Sequence, residues 1–275
     1  MIRRPPRSTL SSSSAASDVY KRQPLILITN DDGINAPGLR HLIKLMNTIG
    51  KVVVVAPDGP QSAQSHAITI NKPFRCNKVK IDNGKQLEFS CSGTPVDCVK
   101  LALSKIIDRK PDLCVSGINH GSNASINVIY SGTMAAAIEA SVHNIPSIGF
   151  SLLDHDMNAN FSHTDNYILS IANKLLSSKL NSCLNVNFPK YNPESDIKGI
   201  KVAHQSKGKW IEEFDERLDP AGNKYFWLTG KFVDEDESEQ SDQNILDKNF
   251  VSIVPISHDL THYDQINDLE NILNE

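Results

Sequence analysis

The feature that most constrains this chain is a rhythm of short apolar runs separated by amphipathic stretches. LILIT at 25–29 is a short apolar run ending in Asn30-Asp31-Asp32-Gly33. Such a run reads as a strand buried on both faces, as in a parallel sheet covered by helices. Pro37 suits the first turn of a helix. Leu39, Leu42, Ile43, Met46 and Ile49 follow at helical spacing, and Gly50 ends the pattern. VVVVA at 52–56 is a second buried strand, stopped by Pro57-Asp58-Gly59-Pro60. Strand, helix, strand implies a parallel pair with a right-handed crossover. The unit then recurs as LEFSC (87–91), a helix carrying Val96, Val99, Leu103, Ile106 and Ile107, and DLCVS (112–116). A glycine- and asparagine-rich loop over 117–132, a helix over 133–142 and the strand SIGFSL (147–152) continue it. The alternation predicts a doubly wound α/β sheet.

Beyond residue 153 the pattern thins. Tyr167, Ile168, Ile171, Leu175 and Leu176 predict one more helix, and short strands are expected at 184–188, 200–204, 225–229 and 250–254. DEDESEQSDQ (234–243) reads as a solvated loop. The runs on either side of it, YFWLT and FVSIV, are expected to form a projecting hairpin that reaches a neighbouring subunit. Residues 1–23 are basic, serine-rich and without apolar periodicity, and read as a disordered or non-native leader outside the fold.

Composition narrows the partners. A chain of 275 residues can bury a core without disulfides or structural metals. A net charge of -4 leaves no broad basic field for a nucleic-acid polymer, which favours a small substrate. No apolar run is long enough to span a membrane. Five cysteines with no CxxC pair suit a reducing, cytoplasmic setting, with the thiols as small buried hydrophobes. The P-loop pattern and the GxSxG nucleophile elbow are both absent.

Three polar loops follow predicted parallel strands: NDDG (30–33), PDGPQS (57–62) and SGINHGSN (116–123). In open α/β sheets ligands bind beyond the carboxyl ends of the strands, so these loops are expected to meet in one crevice. Asp31 and Asp32 are adjacent carboxylates beside buried surface, a cost that a divalent cation relieves. The alternative is that Asp32 caps the next helix while Asp31 faces solvent. Ser62 and Asn119 add neutral oxygens, and the set suits a hard cation such as Mg²⁺ or Mn²⁺. Taken singly they are a loop serine and a turn former. Tyr130-Ser131-Gly132-Thr133 opens a helix, a ready anion site near Asn123, or an ordinary N-cap.

In order, ITNDDGINAPGL, APDGPQSAQSHAITI, CSGTPVDCVKLAL and SGINHGSNASINVIYSGTMAAAIEA resemble SurE, the survival-protein-E 5′-nucleotidases, over roughly 25–152. A weaker match continues through LNVNFP, YFWLTG and FVSIVPISHDLT. The resemblance implies a Rossmann-like, mainly parallel α/β catalytic domain, placed over 24–190. It also implies a C-terminal β-hairpin and helix extension over 191–275 that builds homodimers or homotetramers. The implied activity is metal-dependent hydrolysis of nucleoside 5′-monophosphates, with 3′-nucleotides and short polyphosphate as further substrates. The family's metal ligands match Asp31, Asp32, Ser62 and Asn119, with one Mg²⁺ or Mn²⁺ per subunit. Its phosphate-proximal region matches Asn123, Ser131, Gly132 and Thr133. Asp31 or Asp32 is the expected base toward water, and His66 and His120 are candidate donors to the leaving group. The rivals are a non-catalytic nucleotide-binding module and an aspartyl-phosphate enzyme. The latter usually needs two aspartates spaced by one residue, whereas Asp31 and Asp32 are adjacent.

Overall fold

The structure, a computed structural model, describes residues 23–274, so the expected leader lies outside them but for Gln23. Its first part runs β1 (Leu25–Thr29), α1 (Pro37–Met46), β2 (Lys51–Pro57), β3 (Cys76–Val79), β4 (Leu87–Cys91), α2 (Pro95–Leu101) and β5 (Leu113–His120). It continues through α3 (Asn127–Tyr130), α4 (Gly132–Val142), β6 (Ser147–Leu152), α5 (Asp165–Ser177) and β7 (Cys183–Phe188). The remainder holds β8 (Ile200–Val202), β9 (Lys209–Ile211), β10 (Phe214–Leu218), β11 (Lys224–Leu228), β12 (Lys231–Val233), α6 (Asp242–Asp247), β13 (Val251–Ile256) and α7 (Ile266–Asn274).

Nine strands form one sheet in the order β3-β4-β2-β1-β5-β6-β7-β13-β8. The six from β4 to β7 are mutually parallel. β3 and β13 run antiparallel to their neighbours β4 and β7. The strand order places β1 at the reversal point, with β2 on one side and β5 on the other. That is where an open α/β sheet leaves a crevice at its carboxyl edge. The doubly wound α/β architecture expected from the alternation is therefore present.

Both faces of β1 are used, which is why its sequence is apolar throughout. Ile26 and Ile28 pack with Leu39, Leu42, Met46, Ile168 and Ala172 under α1 and α5. Leu27 packs with Val99, Ala136 and Ala140 under α2 and α4. A Cβ on Gly38 would stand 2.1 Å from the Ile118 carbonyl oxygen, so α1 approaches β5 at a distance that only glycine permits. Thr94 and Asp97 form a reciprocal capping box that starts α2, and the helix runs on as a π-helical turn over Ala102–Ile106.

Two expectations for the later chain are corrected. YFWLT and FVSIV do not pair with each other. β11 pairs with β10 from Phe214↔Leu228 to Leu218↔Lys224, whereas β13 inserts into the main sheet between β7 and β8. The physical reason is burial: Val251 and Val254 are interior residues, while Phe226, Trp227 and Leu228 are exposed. The acidic stretch is also not wholly solvated. Asp242 is fully buried and accepts hydrogen bonds from the backbone N–H of Ser125 (2.8 Å) and of Ser206 (3.0 Å). This carboxylate ties the later chain to the loop after β5. Among the described residues no helix is long and apolar enough to cross a membrane.

Candidate active site

The carboxyl end of β1 carries Asp31 and Asp32 into a cleft of about 560 Å³. Ser62 from the loop after β2 lines the same cleft, as do Asn119 at the end of β5, Asn123 and Ser131. The three polar loops thus meet at one rim of the sheet. Local bonds set the turns. The N–H of Gln61 donates to the Asp31 carbonyl at 2.7 Å, and that of Ile34 to the Pro57 carbonyl at 2.7 Å, which stitches the first loop to the second. Gly33 takes a positive φ of 98° to make the first turn.

Asp31 is almost wholly enclosed, at 4% exposure. The Thr133 hydroxyl donates to its Oδ1 at 2.5 Å, and the Thr133 backbone N–H donates to the same carboxylate. Burial first, and the charge of Asp32 second, push the Asp31 carboxyl up to about 6, against the pull of the Thr133 hydrogen bonds. Asp32 is half-buried and accepts the His120 N–H at 3.3 Å. Burial also raises its carboxyl, opposed by that one bond. Asp32 therefore does not cap α1, whose N-cap is Ala36 without a side-chain bond. The Asn119 side-chain N–H donates to the Gly121 carbonyl at 2.9 Å, and its Oδ1 lies 3.5 Å from the Thr133 hydroxyl. The amide oxygen is thereby turned toward the group that also holds Asp31.

The start of α4 is capped in the ordinary way, which is compatible with an anion site at the same residues. Ser131 is the N-cap and accepts the Met134 N–H at 3.0 Å, so its hydroxyl closes its own helix. Thr133 is spent on Asp31, which makes that carboxylate the anion at the helix's positive end. Asn123 donates from its side chain to the Ser151 hydroxyl at 2.8 Å and from its backbone to Asn187 at 2.9 Å. Gly132 is required by proximity: a Cβ there would stand 2.8 Å from the Asp31 Cβ and 3.0 Å from its Oδ2. Gly132→Ala is accordingly expected to displace Asp31, costing ~1–2 kcal/mol in stability together with activity. Paired denaturation and phosphate-release assays check this, and a variant matching wild type in both refutes the contact.

Of the two histidines read as proton donors, His66 is corrected. It pairs with Glu139 at 2.9 Å beside Lys100, and lines a neighbouring, mainly apolar cavity of about 790 Å³ between α4 and β13, which meets the cleft only at Ser131. That cavity is larger, but the paired carboxylates do not line it. His120 does line the cleft, and burial keeps its pKa below the ordinary value. Sequence reasoning missed Asn185 and Asn187 on β7, which bind the Asn123 backbone from below. Two asparagines at alternate positions of the buried strand CLNVNF were the available signal. It also missed His155, Trp210, Phe232 and Gln243, which complete the cleft wall from far along the chain.

The donor set can be weighed against a metal. Among the described residues no group of three or more His, Cys, Asp or Glu side chains converges. What does converge is two carboxylates, one of them buried against its electrostatic preference, with neutral amide and hydroxyl oxygens on the same wall. This suits a hard divalent cation and not a soft one.

The model of the family described as survival protein SurE matches residues 26–212. The 5′-nucleotidase SurE of Flavobacterium psychrophilum is 56% identical over 251 residues, covering 90% of this chain and 97% of the relative. That of Flavobacterium johnsoniae is 57% identical over 241 residues, covering 87% and 93%. The crystal structure of the SurE protein from Aquifex aeolicus superposes with a TM-score of 0.78 at 34% identity, covering 91% of this chain and all of that one.

Proposed function

Because this chain belongs to the SurE family, we propose that its cleft hydrolyses nucleoside 5′-monophosphates with one Mg²⁺ or Mn²⁺ held by Asp31, Asp32, Ser62 and Asn119. The observation that carries the reading is the buried Asp31 carboxylate, pushed up to about 6 beside a second carboxylate in a cleft that both line. A group held at such a cost marks a functional site. A divalent cation bound there supplies Lewis acidity toward the phosphoryl oxygens and toward water.

The chain's own groups divide the remaining work. Thr133 orients Asp31 through its hydroxyl and backbone N–H, so Asp31 serves as the fixed anchor. Asp32 is half-buried at the cleft and accepts the His120 N–H, which leaves carboxylate lone pairs for water, so it is the base that orients and deprotonates the attacking water. Ser131, at the start of α4, and Asn123 line the cleft beside the carboxylates, and with Gly132 and Thr133 they form the region assigned to the phosphoryl group. His120 also lines the cleft, where burial lowers its pKa, and it is the candidate donor of a proton to the leaving oxygen.

The exposed apolar side chains of the β10–β11 hairpin (Phe214, Phe226, Trp227, Leu228) and of α7 (Ile266, Leu269, Ile272, Leu273) support a homodimer or homotetramer built by the 191–275 extension. The reading places the enzyme in the cytoplasm, with 3′-nucleotides and short polyphosphate as further substrates.

The test is phosphate release from AMP by the purified chain. Activity is expected with Mg²⁺ or Mn²⁺, to be lost in EDTA and to return when the cation is restored. Full turnover in EDTA rejects the metal. AMP binding without turnover under every cation favours a nucleotide-binding module instead.

A further inference from the structure

The inner half of the cleft is lined by acids and amides, but part of its wall is aromatic. Trp210 on β9 and Phe232 on β12 are direct cross-strand partners in a two-stranded antiparallel sheet. Both line the cleft that holds Asp31 and Asp32. Their rings meet edge to face, with centroids 5.8 Å apart at 66°. Each is held in place. The Trp210 Nε1–H donates to the Asn127 Oδ1 at 2.9 Å, so the one polar atom of the indole is satisfied at the cleft wall. Phe232 lies on Gly208 so closely that a Cβ there would stand 2.3 Å from its ring. Trp210 nonetheless remains 39% exposed. A pinned, partly open pair of large aromatic rings has no part in hydrolysing a phosphate ester.

We propose that Trp210, braced edge to face by Phe232, is the surface on which the substrate's nucleobase stacks, and so sets the preference for nucleotides over other phosphate monoesters. This rests on the phosphatase reading of the same cleft. The chemistry that recognises a base without regard to its edge is a flat π surface, which any purine or pyrimidine can cover. The cleft, at about 560 Å³, has a size typical of small-molecule sites and leaves room for a base beyond the carboxylates. Gln243 and Asn127 line the same cleft and add polar groups to it.

The test compares kcat/KM for AMP and for ribose 5-phosphate, which lacks a base, in wild type, Trp210→Ala and Trp210→Phe. Losing the platform is expected to lower the AMP to ribose 5-phosphate ratio by about 10- to 100-fold, chiefly through KM. Trp210→Phe keeps a stacking ring and is expected to retain most of the ratio. An unchanged ratio in Trp210→Ala, including equal losses on both substrates, overturns the proposal. A second readout is independent of turnover. The chain has two tryptophans, so in a Trp227→Phe background the indole fluorescence reports Trp210 alone. AMP is expected to quench it and ribose 5-phosphate is not. Quenching without turnover leaves the platform standing and sinks the phosphatase reading. Turnover of AMP with no quenching does the reverse.

Discussion

An Asp32→Asn variant is expected to keep the fold and to lose about a thousandfold in phosphate release from AMP. The substitution preserves shape. The Asp32 side chain accepts the His120 N–H, and a carboxamide oxygen accepts such a bond as a carboxylate does. What disappears is a full negative charge at the mouth of a cleft whose other charged ligand, Asp31, is enclosed. In the proposed site that charge both holds the cation and takes the proton of the attacking water. The loss corresponds to ~4 kcal/mol of transition-state stabilisation at ~1.4 kcal/mol per tenfold. The measurement is kcat/KM for AMP over a titration of Mn²⁺, alongside thermal unfolding in EDTA. Recovery at high Mn²⁺ assigns Asp32 to holding the cation, while a low kcat at saturating Mn²⁺ assigns it to proton transfer. Full activity with an unchanged Mn²⁺ requirement removes Asp32 from the site.

How much of this was legible in the sequence depends on how local the cause is. β1, β2, β5 and β6 are buried on both faces, so burial alone dictates their composition, and each lies within a few residues of where its apolar run predicts it. The acidic pair is legible for the same reason, since carboxylates at the end of such a strand stand out. The stretch 117–132, expected as a loop, holds regular structure at both ends. β5 continues to His120 and α3 forms at Asn127–Tyr130, and the Asn123 backbone between them is tied to Asn187 and Asn185 on β7. The partner of YFWLT was illegible. A three- to six-residue strand carries no mark of which partner it will choose, and FVSIV chose the main sheet because β7 had an open edge to cover.

The same distinction divides the site. Asp31, Asp32, Ser62 and Asn119 sit in loops whose position follows from the parallel topology, so the sequence brings them to one rim. Thr133 is at the expected helix start and has a further bond that the sequence did not announce. Its hydroxyl faces a carboxylate 102 residues earlier, and a hydrogen bond of that reach leaves no local trace. Trp210 and Phe232 arrive through a two-stranded sheet that the pattern of apolar residues did not reveal.

In the absence of a divalent cation, Asp31→Asn is expected to make the protein more stable at pH 8, by ~2–3 kcal/mol. The carboxyl is ordinarily at 3.8 and is pushed up to about 6 in the fold, chiefly by burial. The folded protein therefore holds that proton more tightly than the unfolded chain does. The stability contributed by protonated Asp31 is fully present below pH 3.8, and is lost as the pH rises to about 6. Above that the fold carries an ionised, enclosed carboxylate, at ~1.4 kcal/mol per tenfold displacement. Asparagine resembles the protonated form, stays neutral, and still offers an oxygen to the Thr133 hydroxyl. Urea unfolding in EDTA should show the two proteins diverging through the pH 4–6 window, with the variant ahead at pH 8 and the gap closing toward pH 4. Saturating Mn²⁺ should reverse the order, because a ligand that binds only the folded wild type stabilises it by mass action, while the variant has lost the charge that holds the ion. A variant less stable than wild type at pH 8 in EDTA would mean that the helix end and Thr133 already compensate the buried charge, and that Asp31 belongs to the scaffold instead of to a cation site.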